Sequence, residues 1–153
     1  MMEREIICNT PEDTFAAGQI VGRELRSGDL VLLSGGLGAG KTLLTKGILD
    51  GLGFDVDEVT SPSFTLVNLY RTGSLDIHHI DLWRLDGTVD AAAAVGLEEL
   101  VEAPRTAAII EWPDRLTSLP AASRVFEISI EGDGDDPRKI EQRVRSPAEG
   151  TTA

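Results

Sequence analysis

Asp29-Leu30-Val31-Leu32-Leu33-Ser34-Gly35-Gly36-Leu37-Gly38-Ala39-Gly40-Lys41-Thr42 carries an apolar run straight into a glycine-rich turn that ends on a lysine and a threonine. A run of strand length without polar alternation is expected where helices cover both faces of a sheet. Residues 35–42 satisfy the pattern G-x-x-x-x-G-K-[ST], and the apolar spacing beyond Lys41 predicts a helix to about residue 52, stopped by Gly53. Strand, loop and helix is the setting this phosphate-binding motif requires. Glycines let the backbone turn tightly and present its N–H groups to phosphate oxygens, while the helix adds its N-terminal partial positive charge. The candidate nucleotide contacts are Gly36, Leu37, Gly38, Ala39, Gly40, Lys41, Thr42 and Leu43. Lys41 would reach the β- and γ-phosphates of ATP, and the Thr42 hydroxyl would be one ligand of Mg²⁺. At average residue frequencies the four fixed positions co-occur by chance in a chain this long with a probability on the order of one percent.

Outward from the loop, a short apolar run at residues 6–8 precedes Thr10-Pro11-Glu12-Asp13. Thr10 can cap a helix, Pro11 suits its first position and Asp13 can complete a capping box. The helix that follows carries Phe15, Ile20, Val21 and Leu25, which fit one face only loosely, and Gly28 ends it. Residues 64–70 and 75–82 read as an antiparallel pair turning at Gly73. Residues 90–95 and 97–101 read as helix interrupted by Gly96, and residues 106–111 as an apolar strand ending in Glu111. Two last strands, 124–131 and 138–145, flank the acidic turn 132–137. The expected architecture is α/β: a P-loop NTPase-like three-layer fold with a mixed, largely parallel central sheet, an antiparallel pair and helices on both faces.

The 153 residues, 41% of them hydrophobic, suffice for one domain with a real core. Residues 1–145 are expected to form it, with 146–153 a disordered tail. No apolar stretch approaches the length of a membrane span, and the N-terminus lacks a secretory pattern, so the expected location is cytoplasmic. The single cysteine, Cys8, cannot form an internal disulfide, and with only two histidines a zinc site is disfavoured. A formal net charge of −12 disfavours independent binding to nucleic acid. Lysine occurs only at positions 41, 46 and 139, so a lysine inside the glycine loop stands apart from general surface charge.

A phosphate loop needs a carboxylate from a neighbouring strand end to hold Mg²⁺ directly or through water. Glu111 occupies such an end, and Trp112-Pro113 beside it stops the strand with an indole that can pack over a site or serve a partner. Asp81 closes another strand, where it could orient the attacking water or complete the metal shell. His79 lies on the same strand face as Asp81 and His78 on the opposite one; both are expected to be structural. Ser61-Pro62-Ser63-Phe64-Thr65 offers hydroxyls for a switch loop at Ser61 and Thr65, against the plainer reading of a Ser/Pro turn.

Taken together, the glycine loop, the segments at 61–67 and 79–85 and Ile110-Glu111-Trp112-Pro113 resemble the bacterial TsaE (YjeE) family over roughly residues 10–116. The resemblance implies a P-loop ATPase serving tRNA threonylcarbamoyladenosine synthesis, with TsaD as the transferase, TsaB as a further partner and tRNA met through the complex. It also implies that Lys41 and Thr42 hold phosphate and Mg²⁺, that Glu111 is the Walker B-like carboxylate, that Asp81 is the acid of the H-x-D-L-[YW]-R segment, and that Trp112 is the family tryptophan. Thr10 falls where the family's N-terminal loop approaches adenine. Two positions depart from the pattern: Gly36 replaces an acidic residue and Leu43 a frequent second threonine. The expected chemistry is attack of water on the γ-phosphate, with Lys41, Asp81 and Glu111 as catalytic residues; which carboxylate positions the water is left open. A small-molecule kinase is the competing reading, but it needs a cationic lid, and residues 85–104 contain neither arginine nor lysine.

Overall fold

The structure, a computed structural model, describes residues 2–36, 38–59, 67–83, 85, 90–121 and 123–147. The order of elements is β1 (Met2–Cys8), α1 (Pro11–Glu24), β2 (Leu30–Ser34), α2 (Lys41–Gly51), β3 (Val67–Arg71), β4 (Asp76–Asp81), α3 (Ala91–Val95), α4 (Leu97–Glu102), β5 (Thr106–Glu111), β6 (Val125–Glu131) and β7 (Arg138–Arg145). Seven strands form one sheet in the order β1-β7-β6-β2-β5-β4-β3. Its centre, β6-β2-β5-β4, is parallel, while β3 on one side and β7-β1 on the other are antiparallel additions. β6 therefore lies beside β2, the strand that leads into the glycine loop.

Two apolar layers sandwich this sheet. Val31, Leu33, Ile77, Ile109, Phe126 and Ile128 pack under α1 and α2, and Leu30, Leu32, Ile80, Ala108 and Ile110 pack on the opposite face with α3 and α4. Because β2 and β5 are covered on both sides, their sequences are apolar at nearly every position, the reason the run at residues 30–33 shows no alternation. Among the described residues, no helix is long and apolar enough to cross a membrane.

α1 and α2 meet through glycine. A Cβ on Gly22 would lie 2.1 Å from the Ile48 carbonyl oxygen, and one on Gly47 would lie 2.2 Å from that of Phe15; Gly18 and Gly51 are as tightly placed. The helices touch backbone to backbone, so α1 needs few large apolar residues on its contact face, which explains the loose spacing of Phe15, Ile20, Val21 and Leu25. Thr10 caps α1 as its sequence signals, its Oγ1 accepting the Asp13 N–H at 3.1 Å, while the Asp13 carboxylate reaches one residue past the cap and accepts the Asn9 N–H at 3.2 Å. At the base of the sheet the buried Asp29 carboxylate accepts two bonds from Arg124, at 3.1 and 2.6 Å, joining the starts of β2 and β6.

Candidate functional site

The glycine loop leaves β2 at the C-terminal end of the parallel strands, where open α/β sheets place their ligands. Gly35 passes so close to β6 that a Cβ there would lie 2.7 Å from the Ile130 carbonyl oxygen. Gly40 enters α2 with φ 110°, in the region where side chains are strained. Lys41 and Thr42 thus become the first two residues of α2. Lys41 is only 8% exposed, and its carbonyl accepts the Thr45 hydroxyl at 2.9 Å. Thr42 is exposed at the helix start.

A second residue grips the loop from far along the chain. Arg138, at the start of β7, donates from Nε to the Ala39 carbonyl at 2.9 Å and from Nη2 to that of Gly38 at 3.3 Å; the same guanidinium bonds the carbonyls of Gly134 and Asp136 in the β6–β7 turn. These bonds use carbonyl oxygens of the loop and none of its N–H groups, of which that of Ala39 donates to the Gly36 carbonyl at 3.2 Å. The acidic turn is thereby tied against the loop. Between them opens a cleft of about 320 Å³ lined by Thr10, Thr14, Gly40, Leu43, Asp135 and Arg138, among others. Thr10 and Leu43 therefore lie beside the loop. Among the described residues, nothing lies within 4 Å of where a Cβ on Gly36 would be.

The opposite side of the site is built by β4 and β5. These strands are parallel neighbours with Asp81 in register with Glu111, so both carboxylates leave the sheet at the same end. Glu111 is 5% exposed; its Oε1 lies 3.9 Å from Lys41 Nζ and its Oε2 lies 2.6 Å from His79 Nε2. Asp81 is half-buried and accepts the Trp83 N–H at 2.9 Å. Trp112 has φ 59° and ψ 51°, a left-handed conformation that costs a non-glycine residue about 1–2 kcal/mol. In that conformation the Trp112 ring centroid lies 4.2 Å from Lys41 Nζ, and the ring meets that of the exposed Trp83 at a tilt, with centroids 4.3 Å apart. Lys41 is thus enclosed by a carboxylate and an indole contributed by one strand end. Leu37, Ser61 and Thr65 lie outside the described residues.

Two residues given no chemical role by the sequence are part of this arrangement, His79 and Arg138. A signal for His79 existed in its position two residues before Asp81 on the same strand face. For Arg138 there was none, because its contacts span about a hundred positions of chain. The donors gathered here, a helix-start hydroxyl and two strand-end carboxylates, are hard oxygens of the kind Mg²⁺ prefers. Among the described residues no group of three or more His, Cys, Asp or Glu side chains could hold a metal alone. Oxygens of this kind suit the few protein ligands of a hard cation that keeps waters or phosphate oxygens in its shell.

Comparison with known proteins agrees on one family. Residues 8–140 match the model of the threonylcarbamoyl adenosine biosynthesis protein TsaE. Among curated proteins, the chain is 36% identical over 130 residues to the tRNA threonylcarbamoyladenosine biosynthesis protein TsaE of Treponema pallidum, covering 84% of this chain and 93% of that one. It is 38% identical over 133 residues to the TsaE protein of Mycobacterium leprae, covering 82% and 81%. Among solved structures, it is similar to Bacillus subtilis YdiB with a TM-score of 0.71 and 30% identity, over 92% of this chain and 84% of that one.

Proposed function

This chain belongs to the TsaE family of tRNA threonylcarbamoyladenosine biosynthesis proteins, and from that premise we propose that it binds and hydrolyses Mg-ATP in support of the TsaD–TsaB transferase in the cytoplasm. The observation that carries the reading is the convergence of Lys41 and Glu111, 3.9 Å apart and both buried, from two elements that share no local sequence. A buried lysine beside a buried carboxylate at the mouth of a glycine loop suits a site where phosphate, cation and water must be handled together.

Each residue then has a task. The loop N–H groups of residues 35–42 and the start of α2 take the phosphate chain, and Lys41 spans its β- and γ-oxygens, where negative charge grows as the bond breaks. Thr42, Glu111 and Asp81 would hold Mg²⁺, whose chemistry when bound is to neutralise the phosphate oxygens. Glu111, with Oε1 3.9 Å from Lys41 Nζ, is the better placed of the two acids to align the attacking water; Asp81 spends one oxygen on the Trp83 backbone and so steadies the turn that bears the Trp83–Trp112 contact. The cleft beside Thr10 and Leu43 would receive the base. RNA is met through the partners, in keeping with the net charge of −12.

The test is ATP hydrolysis by the purified chain, alone and with TsaD, TsaB and substrate tRNA, together with formation of the modified nucleoside. The expected result is slow hydrolysis alone, stimulation by the partners and modification sustained over several turnovers. ATP binding with no change in hydrolysis or modification on adding the partners would overturn the accessory role.

A further inference from the structure

Glu111 is a buried carboxylate with two neighbours of different kinds. Lys41 is one; a direct contact ion pair between them would occupy the cation that the phosphates need. His79 is the other, 1% exposed, with Nε2 at 2.6 Å from Glu111 Oε2, the shorter of the two contacts. The histidine reaches the carboxylate across β4 and β5: its register partner is Ile109, so His79 and Glu111 are diagonal neighbours on one face of the sheet. His79 Nδ1 is buried without a hydrogen-bond partner among the described residues. A carboxylate oxygen only accepts, so the 2.6 Å contact places a proton on Nε2, donating to Glu111. The imidazole has a wall behind it. The Tyr70 ring lies 6.4 Å away, centroid to centroid, and is itself met edge-on by Phe54 at 5.1 Å.

We propose that His79 is a positioning residue: by binding one oxygen of Glu111 it holds the carboxylate off Lys41, leaving the lysine available to phosphate and Oε1 turned to the site. The proposal deepens the nucleotide-site reading and rests on it. Buried carboxylates need a hydrogen-bond donor, and a donor other than Lys41 lets one strand end serve the site without neutralising its cation. The contact also makes a demand on shape. Glutamine can present an N–H near the position of Nε2, asparagine is too short, and phenylalanine keeps the ring volume but has no donor.

The experiment measures ATP affinity without Mg²⁺ by titration calorimetry for the full chain and for His79→Gln, His79→Asn, His79→Phe, Glu111→Gln and His79→Phe/Glu111→Gln, with thermal unfolding of each nucleotide-free protein. His79→Phe and His79→Asn are expected to weaken ATP binding about tenfold, because Glu111 is released onto Lys41. His79→Gln should stay within about threefold of the parent, and the double variant should regain most of the loss, since an uncharged amide attracts the lysine far less than a carboxylate does. A purely structural histidine predicts instead that affinity follows melting temperature and that the double variant is no better than His79→Phe; that result would overturn the proposal. The unfolding data supply an arm independent of nucleotide. Additive effects of His79→Phe and Glu111→Gln on melting would refute the contact itself whatever the parent does with ATP, whereas a parent that binds no ATP but shows strong coupling refutes the nucleotide reading and with it the assigned role.

Discussion

On the lysine side of the site, position is set by backbone: α2 is seated against α1 through four glycines, and the loop before it is gripped at its carbonyls by Arg138. On the carboxylate side, position is set by side chains: Glu111 by His79, Trp112 by Trp83, and Asp81 by the turn it caps. Backbone contacts have one geometry and tolerate almost no added atom, while side-chain contacts can be exchanged for others of similar size and polarity. The lysine wall is therefore expected to respond to substitution by losing stability, and the carboxylate wall by losing function with the fold kept. Lys41, which starts on one wall and rests against the other, is where the two meet.

The sharpest way to break the comparison is Gly47→Val. The new side chain meets the Phe15 carbonyl from its first carbon, so α1 and α2 must part, and a loss of about 3 kcal/mol or more is expected in denaturant unfolding. A loss under about 1 kcal/mol would mean that the seam yields as easily as a side-chain contact. Arg138→Ala is intermediate, because it frees the loop without adding an atom. Two charge-assisted bonds to loop carbonyls are lost, and ATP affinity is expected to fall about tenfold, read by calorimetry, with a smaller effect on melting. The mildest test is Gly36→Glu. A Cβ at Gly36 meets nothing among the described residues, so stability should stay within about 0.5 kcal/mol of the parent, and any change should appear in nucleotide affinity alone.

The same contrast explains which parts of the molecule were legible in its sequence. The glycine loop could be read because motif, strand and helix are contiguous from residue 29 to residue 51, so local rules fix it. Glu111 and Asp81 could be placed at strand ends, but their adjacency depends on β4 and β5 being neighbours, a fact of tertiary order that no local pattern states. His79 was assigned to the right face of its strand from alternation alone; that its ring reaches Glu111 depends on the diagonal register with β5. Arg138 sits in a strand of ordinary alternation, and its partners lie at positions 38, 39, 134 and 136. The α1–α2 seam was written plainly as Gly18, Gly22, Gly47 and Gly51, two pairs at helical spacing, yet a reading weighted to apolar residues passes over glycines inside helices. In such a seam the absence of side chains is the signal.

The most direct test of the central claim is calorimetric titration of ATP, with Mg²⁺, into the parent chain and into Lys41→Ala. The account predicts saturable one-to-one binding by the parent and a loss of about a hundredfold or more in the variant, with folding retained. Equal affinity in the two proteins would contradict it, because the phosphates would then lie somewhere other than against the buried lysine at the start of α2.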